Sequence, residues 1–391
     1  MSRPALRVLH VHSSLEKGGV ETWLTRIVPL LDASRYRFDF AVHQFDGEVA
    51  ESLRTLGSVI HPTGLPRHIT RYWQELVGIA RQGQYDVMHC HFLEHAGYAM
   101  LAGKMANIPV RVAHTHLDVA PLLPGTSVSW RAYWALSRLL VHKYATAGIA
   151  VSAAAGSSMF GDSWRSDSRW MSLPCGIDLE SFRGIRLSPT CAALRTRLGI
   201  ADDVCVIGHV GRFVRQKNHR FLLSLLQDTV SAGLNAVLLL VGEGPLETEI
   251  RHIAKELGVG ERVYFYGPTG HVAAPLAAMD VFAFPSHYEG LGLAVVEAQA
   301  ASLPCVVSQQ VPDEAIVVPR LCSKVPLNDA QGWVVAIRRA FQRDVAAADE
   351  NWRKVAASVF EIHSNTSALL GFYDQATATA TAGNTAERMC A

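Results

Sequence analysis

Short runs of β-branched and aliphatic residues alternate with longer amphipathic stretches along this chain, and the alternation runs twice. Leu6–Val11, Phe38–His43, Asp86–His91 and Val110–His114 read as buried strands, with Val20–Leu31 and Glu48–Leu56 spaced as helices between the first of them. After Pro174-Cys175-Gly176 the rhythm restarts. Val204–Val210, Ala236–Val241, Val263–Tyr266, Val281–Phe284 and Cys305–Ser308 are strands, and His219–Ala232, Leu246–Leu257 and a stretch from Leu293 are helices. Such βαβα order specifies an open, mostly parallel sheet covered by helices on both faces. Two such sets predict two Rossmann-like α/β domains. A last helix is predicted near Ser364–Ala376, and the Ala-Thr repeat after it reads as a frayed tail.

Composition narrows the functional classes. Across 391 residues, 36 Lys and Arg balance 35 Asp and Glu, so the net charge of +1 gives no support for nucleic-acid binding. Seven scattered cysteines, an odd number with no C-x-x-C spacing, read as free thiols of a reducing compartment. No apolar run approaches the ~20 residues of a membrane span. The expected location is cytoplasmic.

In sheets of this kind ligands gather beyond the carboxyl ends of the strands, so the residues that follow strands carry the information. Lys17-Gly18-Gly19-Val20-Glu21 follows the first strand and opens a helix, where paired glycines allow close backbone approach and the helix terminus favours an anion. Gly211-Arg212-Phe213 ends the strand at Val210, with Lys217 five residues beyond Arg212; two cations there can neutralise a diphosphate, as easily as they can make a solvated basic loop. Pro285-Ser286-His287-Tyr288-Glu289-Gly290-Leu291-Gly292 leads into a helix containing Glu297, whose apolar neighbours predict a buried carboxylate with a partner. Glu289 and Glu297 would lie about 12 Å apart on one helix, further than a glycosidase pair, so a clamp on sugar and ribose hydroxyls fits them better.

His-x-His occurs three times at strand ends: His10/His12, His89/His91 and His114/His116. Residues two apart share a face of a strand, so each pair could converge on a divalent metal. That opens a second reading, a metal-dependent hydrolase on a closed βα barrel. The alternative for each pair is a polar cap on a strand end in a wet cleft between domains.

Five of these stretches, in order, resemble the retaining glycosyltransferases of family 4, which have the GT-B fold: two Rossmann-like domains facing each other across an interdomain cleft. They are Gly18-Gly19-Val20-Glu21, Leu173-Pro174-Cys175-Gly176-Ile177-Asp178 with Phe182, Gly211-Arg212…Lys217-Asn218, Val241-Gly242-Glu243-Gly244-Pro245, and Glu289-Gly290-Leu291-Gly292…Glu297. Cys175 departs from the Asn common in the family. The resemblance implies an acceptor domain over 1–174, a donor domain over 175–360, a helix over 361–378 crossing back to the first domain, and a disordered tail over 379–391.

The resemblance also implies roles. Arg212 and Lys217 hold the donor's diphosphate. Glu289, with backbone from Gly290, Leu291, Gly292 and Leu293, binds the sugar, and Glu297 binds the ribose. Gly18, Gly19 and Gly211 give the backbone close approach, and His114, with His116 as the alternative, contacts the donor sugar. No metal or other cofactor is expected, consistent with the lack of an Asp-x-Asp motif. The wording is most similar to bacterial exopolysaccharide and capsule enzymes. It implies a nucleoside-diphosphate sugar donor, UDP-sugar favoured, and a lipid-linked or oligosaccharide acceptor. The aromatic and basic stretch 129–143 adds a peripheral contact with the inner membrane face, its alternative being a helix with its aromatics in the core. A catalytically silent nucleotide-binding subunit would share the same fold.

Overall fold

The computed structural model describes residues 5–15, 18–64, 69–342 and 347–390. Lys17 of the first glycine motif lies outside them. The chain divides into one unit of Met1–Gly176 with Ile362–Ala391 and a second of Ile177–Glu361.

Seven parallel strands build the first unit: β1 Leu6–Ser14, β2 Tyr36–Gln44, β3 Ile60–Pro62, β4 Val87–Cys90, β5 Val110–Thr115, β6 Ala147–Ala150 and β7 Trp170–Ser172. Their order is β3-β2-β1-β4-β5-β6-β7. Strand order therefore reverses between β1 and β4, the place where open sheets of this kind bind ligands. Close packing fixes small residues around the sheet. A Cβ on Gly97 would lie 2.1 Å from the Ser137 carbonyl oxygen, so the helices Ala96–Met105 and Val128–Tyr144 approach backbone to side chain only because position 97 is glycine. The Gly97 amide uses that approach, donating to Ser137 Oγ at 3.0 Å.

The final helix, Ile362–Cys390, packs on this unit. Asn365 accepts from Trp23 Nε1 at 2.9 Å and donates to the Pro174 carbonyl at 2.8 Å, and Tyr36 donates to Asp374 at 2.7 Å. The helix runs through the Ala-Thr repeat, where a frayed, disordered tail from 379 was expected. Alanine is the strongest helix former, and Thr377 and Thr381 turn their hydroxyls back onto the carbonyls four residues earlier instead of competing for the helix amides.

Six parallel strands build the second unit: β8 Cys205–Val210, β9 Ala236–Val241, β10 Val263–Gly267, β11 Val281–Phe284, β12 Cys305–Ser308 and β13 Cys322–Val325, in the order β10-β9-β8-β11-β12-β13. The near-continuous apolar runs Ala236–Val241 and Val281–Phe284 are buried throughout, as strands covered on both faces must be. The switch point falls between β8 and β11. Two open sheets replace the single closed barrel that a metal-dependent hydrolase of the amidohydrolase kind requires, so that reading loses its scaffold.

Candidate active site

The loops after β8 and β11 meet at the second unit's switch point. β8 ends at Val210, and the next residue must be small: a Cβ on Gly211 would stand 2.8 Å from His209 Nε2. Phe213 then turns inward onto His219, ring centroids 4.1 Å apart, at the start of the helix His219–Ser231. The stretch after β9 holds this turn from behind. Phe213 N donates to the Glu243 carbonyl at 2.9 Å, and Leu246 N donates to the Phe213 carbonyl at 3.0 Å. Gly244, at φ +158°, passes so close that a Cβ would lie 2.7 Å from Phe213 N. The sequence motif Val241–Pro245 thus supports the Gly211–Phe213 backbone.

Arg215–Lys217 forms a single helical turn, and hydrogen bonds join it to the loop after β11. His287 N donates to the Gln216 carbonyl at 2.8 Å, Gln216 Nε2 donates to the Tyr288 carbonyl at 3.0 Å, and Asn218 Nδ2 donates to the Pro285 carbonyl at 3.2 Å. At the centre Lys217 Nζ donates to Glu289 Oε1 at 2.6 Å, while Gln216 Nε2 reaches Glu289 Oε2 at 3.3 Å. The ammonium also sits 4.7 Å from the centroid of the Phe284 ring. The Glu289 side chain is 5% exposed and that of Lys217 18% exposed, so this is a largely desolvated ion pair with one cationic end still open to a ligand. Arg212, earlier in the same loop, is exposed. Gly292, at φ +92°, caps the helix Leu293–Ala300 in the left-handed conformation that favours glycine. Gly290 and Leu291 are buried before it, and Leu293 is half-buried. Glu297, expected to be buried, is half-buried, and the fully enclosed polar residue of that helix is Gln299, which donates to the Ala315 carbonyl at 2.7 Å. Burial pushes the His219 imidazole down to about 4, with Lys217 adding to it, and pushes His209 well below the usual histidine range. Both are neutral rings supporting a cationic loop.

The structure brings together Gly211, Lys217, Glu289 and the Gly290–Leu293 turn. Gln216 was missed by sequence reading, since a glutamine between cations carries no distinctive pattern. His209 and His219 were missed because lone histidines on apolar elements read as ordinary core.

In the first unit the three His-x-His pairs form one cluster. β1, β4 and β5 are adjacent, with His10 opposite His89 and His89 opposite Val112, so all six imidazoles lie on one face of the sheet. His10 Nδ1 meets His91 Nε2 at 2.9 Å, His91 Nδ1 meets His116 Nε2 at 2.9 Å, and His116 Nδ1 faces Cys175 Sγ at 3.7 Å. His89 bonds the Tyr373 hydroxyl through Nδ1 and His114 Nδ1, at 3.1 Å, through Nε2. His10, His89 and His114 have no exposed surface, so the wet strand caps that the sequence allowed are replaced by dry packing. Burial pushes His10 and His116 down to about 3 and His12 to about 4; His89, His91 and His114 fall well below the usual range. The cluster is neutral. His114, wholly enclosed and edge-on to Trp23 at 5.8 Å, has no surface to offer a donor sugar; His116 is half-buried. Gly18 caps the helix Gly19–Ile27, and a Cβ there would lie 2.4 Å from Glu21 Oε2. Glu21 stands 3.5 Å from His12 Nε2.

In the helix Val128–Tyr144 the aromatics turn inward, Trp134 being buried and Trp130 stacked on it at 6.2 Å. The large apolar residues this helix exposes are aliphatic: Val128, Leu136 and Leu139. Among the described residues no helix is long and apolar enough to cross a membrane.

Two Rossmann-like units of this topology define the GT-B class, and the chain belongs to the family 4 glycosyltransferases: residues 17–181 match Glycosyltransferase Family 4, and residues 192–353 match Glycosyl transferases group 1. Over 387 residues it is 32% identical to the "Putative glycosyltransferase EpsF" of Bacillus subtilis (strain 168), covering 96% of this chain and 98% of that protein. It is also 24% identical over 271 residues to the UDP-Gal:alpha-D-GlcNAc-diphosphoundecaprenol alpha-1,3-galactosyltransferase of Escherichia coli, covering 68% of each. Among solved structures, Anabaena Alr3699/HepE in complex with UDP-glucose superposes with a TM-score of 0.79 at 19% identity, over 95% of this chain and all of that one.

Proposed function

We propose that this chain transfers a sugar from a UDP-sugar, with retention of anomeric configuration, to a lipid-linked or oligosaccharide acceptor in exopolysaccharide assembly. The observation that carries this reading is the Lys217–Glu289 pair, held by Gln216 between two loops at the switch point. A carboxylate is pre-oriented there for sugar hydroxyls beside an ammonium for phosphate. Arg212 and Lys217 bind the diphosphate and stabilise the charge that develops as the nucleotide leaves. Glu289 and the Gly290–Leu293 backbone orient the sugar, and Glu297 takes the ribose. From the first unit Gly18 and Gly19 allow close backbone approach. Attack comes from the face of the departing phosphate, so no protein nucleophile is assigned and the transfer step is given no metal. The UDP preference is supported by the nucleotide in HepE and by the donor named for the E. coli relative, whose diphosphoundecaprenol acceptor supports the lipid-linked class.

A thermal-shift panel with UDP, GDP, ADP and CDP tests the donor site. UDP at about 100 times its dissociation constant is expected to stabilise the protein by about 2.7 kcal/mol, with the shift lost in Lys217→Ala. A shift with GDP alone would replace the uridine assignment, and no shift with any nucleotide would remove the donor-site reading.

The protein is placed in the cytoplasm, at the inner membrane face. Val128, Leu136 and Leu139 share one exposed face of their helix with Arg131 and Lys143, an apolar and basic combination suited to an anionic interface. Flotation with phosphatidylglycerol vesicles is expected to carry the wild type but not the Leu136→Ser/Leu139→Ser variant. Equal flotation of both would move the contact elsewhere.

A further inference from the structure

The buried histidines of the first unit are arranged as a metal site would be. His91, His114 and His116 each offer a ring nitrogen, and the three nitrogens lie within 4.8 Å of one another. On each ring the other nitrogen already has a partner. His91 Nε2 faces His10 Nδ1, His114 Nδ1 faces His89 Nε2, and His116 Nδ1 faces Cys175 Sγ. Ligating histidines are normally secured in this way, through an N–H given to an outer partner that fixes tautomer and ring angle. The nitrogens left over are His91 Nδ1, His116 Nε2 and His114 Nε2. The first two share a single proton at 2.9 Å, and the third makes no side-chain hydrogen bond, the Leu173 backbone being the ring's remaining partner.

We propose that His91, His114 and His116 bind one divalent transition metal ion of the zinc class. Zinc takes neutral imidazole nitrogens at about 2.0–2.1 Å, tetrahedrally, which places ligand nitrogens about 3.3 Å apart. The His91–His116 contact must then open by only a few tenths of an ångström, and His114 must close inward. The ion displaces the proton shared between His91 and His116, which passes by tautomer exchange to the outer ring nitrogens, so three neutral imidazoles remain and no net proton is released. Three imidazoles leave a fourth position for water. Charge compensation is at hand: Glu21 lies 3.5 Å from His12 Nε2, in the shell beyond the ligands. Oxygen-seeking Mg²⁺ and Ca²⁺ find no carboxylate among these three ligands and are disfavoured. The alternative trio, His10, His89 and His91, also converges. But His10 and His89 have no exposed surface, whereas the outer set opens at His116.

The test needs no sugar donor, so it stands apart from the transferase reading. Chelator-stripped full-length protein is dialysed against Zn²⁺ and its metal content measured; Co²⁺ is then used as a spectroscopic probe. About one zinc per chain, with visible bands of tetrahedral Co²⁺ that zinc abolishes, is the expected result. Half-buried His116 is the least enclosed of the three ligands, and His116→Gln, checked for fold by circular dichroism, is expected to lose at least about tenfold in affinity. Cys175→Ser, which keeps an outer hydrogen-bonding group, should retain the ion. A wild type that holds no zinc after dialysis, or a His116→Gln protein that holds it as tightly as the wild type, overturns the proposal.

Discussion

Glu289→Gln is expected to reduce kcat/KM for sugar transfer by at least about a hundredfold while the fold survives. The amide keeps the shape of the carboxylate and one acceptor oxygen, which can take the Lys217 donor now at 2.6 Å, while its NH2 stands where Gln216 Nε2 now donates at 3.3 Å. What it loses is charge. A largely desolvated Lys217 ammonium is then left facing a neutral group, and the sugar loses its strongest acceptor at the moment positive charge develops on it. Removing one preorganised polar contact to a transition state typically costs a factor of 10²–10³. Lys217→Ala strikes the same unit from the other side, removing the point charge on the diphosphate and leaving Glu289, 6% exposed, with Gln216 as its donor. Because the two side chains act through one contact, the double variant is expected to fall little further than the worse single variant. Steady-state kinetics on all four proteins read this directly. Losses that multiply in the double variant would mean that the ion pair is incidental and each residue works alone.

The strands that carry the site were legible because parallel strands buried on both faces are written as continuous apolar runs; Ala236–Val241 and Val281–Phe284 have the same limits in sequence and structure. The glycines that follow them were legible too, since Gly211, Gly244 and Gly292 occupy places where a Cβ collides or φ is positive. Edge elements escaped. Ile60–Pro62, Trp170–Ser172 and Cys322–Val325 are three or four residues long and polar in part, and register with a neighbour rather than pattern makes them strands. The histidine pairs show the sharper limit. Spacing showed that each pair shares a face, but only strand order makes neighbours of β1, β4 and β5, and so a sequence read pair by pair yields three strand caps where the fold builds one dry cluster. Glu297 illustrates the converse: apolar neighbours in sequence suggested burial, yet on a helix those neighbours point elsewhere.

Acid is expected to loosen the second unit through the histidines beneath its cationic loop. Burial first, then the Lys217 charge, hold His219 at about 4 against an ordinary 6.5; burial, then His219, hold His209 well below the usual histidine range. In the unfolded chain both rings take up a proton as pH falls through 6.5, while in the folded unit His219 stays neutral until about pH 4 and burial keeps His209 neutral as well. Stability from this source is therefore complete above pH 6.5 and is lost progressively as pH falls toward 4. For His219 the difference between 6.5 and about 4 corresponds to about 3 kcal/mol at most, a large part of the 5–15 kcal/mol typical of a domain. Hydrogen exchange of β8 and the helix His219–Ser231, measured with chelator present, should show protection constant above pH 7 once corrected for intrinsic rates, and falling steeply below pH 6. His219→Phe separates this cause from general acid unfolding. Both ring nitrogens of His219 are buried without a hydrogen-bond partner, and the ring already stacks on Phe213 at 4.1 Å, so phenylalanine gives up no hydrogen bond and keeps the packing. The variant should match the wild type at pH 7.5 and retain protection at pH 5 that the wild type has lost. An unchanged acid profile in His219→Phe would place the titration elsewhere, and a variant weaker at pH 7.5 would mean that the ring makes a polar contact the fold depends on.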